Sequence, residues 1–132
     1  MTGQAITTSS APAPVGPYNQ AVLAGDWLHC SGQIPLDPVS GEMVGNGDVA
    51  AETRQVLKNL LAVLQQADAG AHQVVRTTVF LADLADFQTV NGIYAEVFGS
   101  GVSPARACVQ VAALPKGARV EIDCIAWLGG DS

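Results

Sequence analysis

The chain has 132 residues, 48% apolar and 14% charged, with twelve acidic against six basic side chains and a formal net charge of −6. That length predicts one domain around one core, and the apolar content excludes a disordered chain. The six cations, Arg54, Lys58, Arg76, Arg106, Lys116 and Arg119, form no run, which counts against a nucleic-acid groove built on clustered Lys and Arg, whereas a small carboxylate needs only one well-placed Arg.

Residues 1–14, ending APAP, read as an extended arm. VGPYNQAVLAGDWLHCSGQ reads as two strands around a tight turn at Gly25-Asp26, where glycine supplies the positive φ of a type II′ turn. Residues 35–47, rich in Gly and Pro, read as loop. The segment 48–70 is the clearest helix. Val49, Thr53, Val56, Leu57, Leu60, Leu61, Leu64 and Ala67 recur at helical spacing, Asp48 is placed to cap the start and Gly70 to end it. VVRTTVFL (74–81) has the β-branched content of a strand. Asp83 or Asp86 then opens a second amphipathic helix with Phe87, Val90, Tyr94, Val97 and Phe98, closed by Gly99. Two last strands are expected at about 105–112 and 119–128, joined by ALPKGA. The order β-β-α-β-α-β-β predicts a single α+β domain over 1–132, a mixed sheet with both helices packed on one face.

Alternation divides the last strands into faces. Val120, Ile122, Cys124, Ala126 and Leu128 form a uniformly apolar side that should meet the helices, leaving Glu121, Asp123, Ile125 and Trp127 on the other. By the same logic Arg106 and Cys108 are expected on the face away from the helices, opposite Ala107, Val109 and Val111, and next to Glu121. A sheet face that mixes Trp and Ile with an Arg and a Glu is expected to be covered by another subunit, with a site at the boundary.

Three cysteines, Cys30, Cys108 and Cys124, show no CxxC or Cys/His ligand spacing, and His29 and Cys30 point to opposite faces of a strand. Free thiols in a reducing compartment are expected. No secretory leader and no membrane-spanning apolar run is read, so a cytoplasmic protein is expected.

Arg106 fits either a bidentate clamp on a ligand carboxylate or a structural ion pair with Glu121 or Asp123. Glu121 fits either general acid–base work on a water or an ion-pair role. Cys108 has no His in a partner position and reads better as a small side chain lining a site than as a nucleophile. In GPY (16–18) and SGQ (31–33) polar groups adjoin glycines, which permits close backbone approach to a ligand and is also ordinary turn chemistry. No dinucleotide, Walker A, HExxH or GxSxG motif is present.

GPYNQAV, SGQIPLDPVSGE, VVRTTVFLADLADFQTVNGIY and SPARACVQVAALPKGARVEIDC resemble the RidA/YjgF family of enamine/imine deaminases, over about residues 12–128. The last motif, an Arg, one residue, a Cys and then LPKG before a Glu, is the most specific and is similar to the archetypal RidA subgroup. The resemblance implies a chorismate-mutase-like fold and a homotrimer with sites in the clefts between subunits. It implies hydrolysis of 2-aminoacrylate and related 2-imino acids to 2-keto acids and ammonia, which protects pyridoxal-phosphate enzymes, with no metal or cofactor. Position by position it makes Arg106 the carboxylate anchor and Glu121 the residue that activates water. It makes Tyr18, Ser31, Asn91 and Cys108 substrate-lining residues. Neither nucleic acid nor membrane is an expected partner. A non-catalytic sensor of small carboxylates using the same cleft is the alternative, and only the enzyme needs Glu121 for turnover. A ribonuclease or translation-inhibitor role sits badly with the acidic balance.

Overall fold

The computed structural model describes residues 3–130; Met1 and Thr2 of the expected arm, and the last two residues, lie outside it. Six strands form one sheet in the order β1-β2-β3-β6-β4-β5. They are β1 (Gln4–Ile6), β2 (Ala21–Ala24), β3 (Trp27–Gln33), β4 (Val74–Leu81), β5 (Ala105–Gln110) and β6 (Val120–Trp127). Helices α1 (Val49–Gln66) and α2 (Phe87–Phe98) follow β3 and β4. Only β4 and β5 pair in parallel, across the α2 connection; every other pairing is antiparallel. The sheet is therefore mixed, as expected, with one strand more than the sequence reading gave. Part of the expected arm supplies that strand, with Ala5 opposite Val22.

The β2–β3 hairpin turns at Gly25, whose φ of 61° is the left-handed value foreseen for it. Asp48 caps α1, its carboxylate accepting from the Ala50 N–H at 3.0 Å. The other end differs from expectation. Asp68 (φ 58°), not Gly70, takes the left-handed position. The Asp68 N–H donates to the Gln65 carbonyl and the Ala69 N–H to the Leu64 carbonyl, both at 2.9 Å, which is the double bond of a Schellman end.

The core lies between the helices and one sheet face. Val56, Leu60, Val63 and Leu64 of α1 and Val120, Ile122 and Ala126 of β6 are fully buried, beside Val79 and Leu81 of β4 and Leu28 of β3. Three polar side chains also sit on the buried stripe of α1, each satisfied as a buried polar group must be. Glu52 accepts the Arg119 backbone N–H at 2.8 Å, Asn59 donates to the Leu36 and Ile34 carbonyls, and Thr53 donates to the Val49 carbonyl. They pin the 34–36 loop and the entry to β6 onto the helix. The cysteines are unpaired; Cys30 and Cys124 stand opposite one another on β3 and β6 inside the core.

The opposite sheet face is partly bare. Trp27 and Trp127 are opposite in register with ring centroids 4.9 Å apart, and remain 45% and 40% exposed. Val75 and Val109 are also exposed. Phe80 and Trp27 face this way with Glu121 and Trp127.

Candidate active site

β6 places Glu121 where alternation put it, on the face away from the helices, in register with Phe80 of β4. Its carboxylate lies over Gly32 of β3, so closely that a Cβ at residue 32 would fall on Glu121 Oε2. Glycine is the residue type that allows this approach. No hydrogen bond reaches the Glu121 carboxylate among the described residues. Burial holds its pKa above the ordinary carboxylate value, and the negative charge of Asp123, two residues on, pushes the same way. Asp123 is itself raised, chiefly by burial, against hydrogen bonds from Thr78.

Around Glu121 the chain forms a cleft of about 100 Å³ lined by Pro12, Val15, Tyr18, Gly32, Ile34 and Lys116 among others. Tyr18 is half exposed and its hydroxyl accepts from the Val15 N–H at 3.4 Å. Gln20 braces the wall from behind. It is buried, and its amide nitrogen donates to the carbonyls of Thr8, Ala11 and Pro12, while its oxygen accepts from the Thr8 N–H. Ser31 lies beside Gly32 but spends its hydroxyl on the Asn19 carbonyl at 2.6 Å.

Arg106 is not where alternation put it. β5 is an edge strand that pairs with β4 alone, and Arg106 stands opposite Thr77. Thr77 is fully buried under α2, where its hydroxyl meets the Tyr94 hydroxyl at 2.7 Å. Arg106 therefore lies on the helix side of the sheet, and Cys108, opposite buried Val79, packs against the core on that side too. The outward residues of β5 are Ala105, Ala107 and Val109, opposite Arg76, Thr78 and Phe80. The expected meeting of Arg106 and Glu121 on neighbouring strands of one chain is thus corrected twice. They occupy opposite faces, and β4 separates β5 from β6. The physical cause is the polar flank of α2. Asn91 accepts from Arg106 Nη1 at 2.7 Å, and the guanidinium carbon stands 4.8 Å from the Tyr94 ring and 5.6 Å from the Phe87 ring.

Arg106 forms no ion pair among the described residues; the two present are Arg54–Glu96 and Arg119–Asp86. It opens onto a hollow of about 430 Å³ shared with Asn91, Tyr94, Phe98, Ser103 and Pro104. Cys108 is held as a thiol, since burial pushes its pKa up against the opposing pull of Arg106. A further hollow of about 470 Å³ between α1 and α2 contains none of the expected site residues.

The six residues singled out in the sequence therefore fall into two groups. Tyr18, Ser31 and Glu121 belong to the β3/β6 side, and Asn91, Arg106 and Cys108 to the β5/α2 side. Pattern reading missed Phe87 and Tyr94 as neighbours of Arg106, although their spacing about Asn91 (i, i+4, i+7) puts all three on one helix face. Gly32 and Gln20 gave no signal beyond their places in SGQ and NQAV. No cluster of three or more His, Cys, Asp or Glu side chains suited to a metal is present among the described residues, and no helix there is long and apolar enough to cross a membrane.

The sequence matches the family described as Endoribonuclease L-PSP over residues 8–128. It is 54% identical over 128 residues to a RutC family protein of Synechocystis, covering 97% of this chain and 98% of that one. It is 52% identical over 124 residues to the human 2-iminobutanoate/2-iminopropanoate deaminase, covering 94% of this chain and 89% of the relative. Among solved structures, Escherichia coli TdcF with bound serine superposes with a TM-score of 0.90 at 39% identity, over 96% of this chain and 99% of that one.

Proposed function

This chain belongs to the Endoribonuclease L-PSP family, the RidA/YjgF proteins, and we propose that it is an enamine/imine deaminase that hydrolyses 2-aminoacrylate and related 2-imino acids to 2-keto acids and ammonia. The observation that supports this most directly is the carboxylate of Glu121. It is half buried, raised in pKa and without a hydrogen-bond partner among the described residues, at the floor of a cleft. Raised proton affinity and unoccupied lone pairs suit such a carboxylate to taking a proton from water. The Arg106 guanidinium, exposed and paired with no carboxylate among the described residues, is its complement.

The chemistry asks little more. Water adds to the protonated C=N carbon while Glu121 takes one of its protons. The carbinolamine nitrogen takes that proton back from Glu121, the C–N bond breaks as the hydroxyl oxygen becomes the ketone, and the hydroxyl proton goes to the departing ammonia, which leaves as ammonium. Arg106 holds the substrate carboxylate through two parallel N–H···O bonds, so that the electrophilic carbon is fixed against the water. Tyr18 closes the cleft and Ser31 lines it on the Glu121 side, while Cys108 lines the side that carries Arg106. Because Arg106 and Glu121 lie on opposite faces of one chain, a complete site needs Arg106 of one copy and Glu121 of another. A homotrimer closing on the partly bare sheet face, with its exposed Trp27, Trp127 and Val109, supplies that arrangement. In the cell the enzyme would spare pyridoxal-phosphate enzymes from attack by the enamine.

The test generates 2-aminoacrylate or 2-iminopropanoate with a dehydratase or an amino-acid oxidase and follows the imine by semicarbazide trapping. Added protein should speed its disappearance, and Arg106→Ala should abolish the effect. No acceleration by the parent protein sinks the deaminase reading; keto-acid binding without acceleration would identify a carboxylate sensor in its place.

A further inference from the structure

We propose that Phe87, Asn91 and Tyr94 of α2 are positioning residues that hold the Arg106 guanidinium with its Nε/Nη2 edge presented to the substrate carboxylate. This deepens the deaminase reading above and rests on it. An arginine on an exposed edge strand ordinarily samples many rotamers, and ordering it on binding opposes affinity. Here three side chains from one stripe of α2 do the ordering in advance. Asn91 Oδ1 accepts a hydrogen bond from Nη1 at 2.7 Å. Tyr94 and Phe87 present their rings to the guanidinium carbon at 4.8 Å and 5.6 Å, within reach of cation–π attraction.

Tyr94 is fixed in turn. It is buried, its ring lies 4.8 Å from that of Phe98, and its hydroxyl is bonded to Thr77. Thr77 is the register partner of Arg106 across β4 and β5, so backbone and side chains close a circuit around the guanidinium. With Nη1 occupied by Asn91, the Nε–H and the adjacent Nη2–H remain as a parallel pair matched to a carboxylate. Asn91 thus acts on the arginine as well as lining the hollow onto which Arg106 opens.

The experiment measures binding of 2-oxobutanoate by calorimetry, and KM and kcat for imine hydrolysis, in the full-length protein and in Arg106→Ala, Asn91→Ala, Tyr94→Leu and Tyr94→Phe. Loss of the ring face in Tyr94→Leu should raise both the Kd and the KM about 3- to 10-fold with a much smaller effect on kcat. Tyr94→Phe, which keeps the ring and loses only the hydroxyl, should restore most of that loss. Asn91→Ala should raise KM several-fold, and it tests the proposal independently should Tyr94→Leu fold poorly. A fall in kcat or in melting temperature with KM unchanged, equal in Tyr94→Leu and Tyr94→Phe, would mark Tyr94 as structural and overturn its part. If Arg106→Ala loses 2-oxobutanoate binding while Asn91→Ala and Tyr94→Leu bind like the parent, the positioning role is wrong and the deaminase site stands. If Arg106→Ala binds like the parent, Arg106 is not the anchor and the site reading itself fails.

Discussion

Glu121 links stability to activity through its proton. Burial, and secondarily Asp123, raise its pKa in the folded chain. In the proposed reaction it serves as a base only when ionised, so kcat/KM should fall on the acid side with an apparent pKa above the ordinary glutamate value of about 4.3. Removing the neighbouring charge in Asp123→Asn should move that limb to lower pH, as a pH–rate profile will show. The sign for folding runs the other way. A carboxyl whose folded pKa is raised binds its proton more tightly folded than unfolded, so stability falls as pH rises from the unfolded value through the folded one. Glu121→Gln removes that penalty. It should abolish imine hydrolysis while leaving the melting temperature at pH 7 equal to the parent's or above it. A clear drop in melting temperature would show that the carboxylate holds the fold together.

The two ends of α1 predict opposite signs for two substitutions. Asp48 satisfies an otherwise unpaired N–H of the first turn, at Ala50, so Asp48→Ala should cost about 1 kcal/mol. Asp68 occupies a left-handed position that glycine takes without steric strain, so Asp68→Gly should gain on the order of 0.5 kcal/mol, part of the relief being cancelled by greater freedom of the unfolded chain. Denaturant midpoints at fixed protein concentration and unchanged slope will read both. The stripe of α1 also illustrates what periodicity can tell. It found Val56, Leu57, Leu60 and Leu64, and it passed over Glu52 and Asn59, which are equally buried. Periodicity detects apolar side chains; a buried carboxylate or amide becomes sensible only when the backbone groups that satisfy it, at Arg119 and Leu36, have been folded onto it.

For the whole molecule, the division of the site between two sheet faces makes a prediction that no single chain can meet. Arg106→Ala and Glu121→Gln should each be inactive alone. Unfolded together and refolded as a random mixture, they should recover about a quarter of the parent's sites, because one interface in four then pairs an intact Arg106 with an intact Glu121. Recovery absent from a mixture that has demonstrably exchanged subunits would place both residues in one chain's site, against the geometry of β5 and β6.

Local periodicity and turn residues determined the two helices, the β4 and β6 strands and the inward face of Val120, Ile122, Cys124 and Ala126, while the residues proposed for the site came from family resemblance. Each depends on the chain's own repeat or on a short stretch of residues. The placement of β6 between β3 and β4, and hence the distance of Glu121 from β5, was decided only in the tertiary structure, since strand order is set by packing between segments remote in sequence. The side to which Arg106 points was decided there as well. Alternation reports which residues differ across a strand, but the rule of apolar inward and polar outward assumes that one face meets water. In β5 the outward Ala105, Ala107 and Val109 are the more apolar set, and the inward Arg106 is accepted because α2 offers it an amide oxygen and two aromatic rings in place of an aliphatic core.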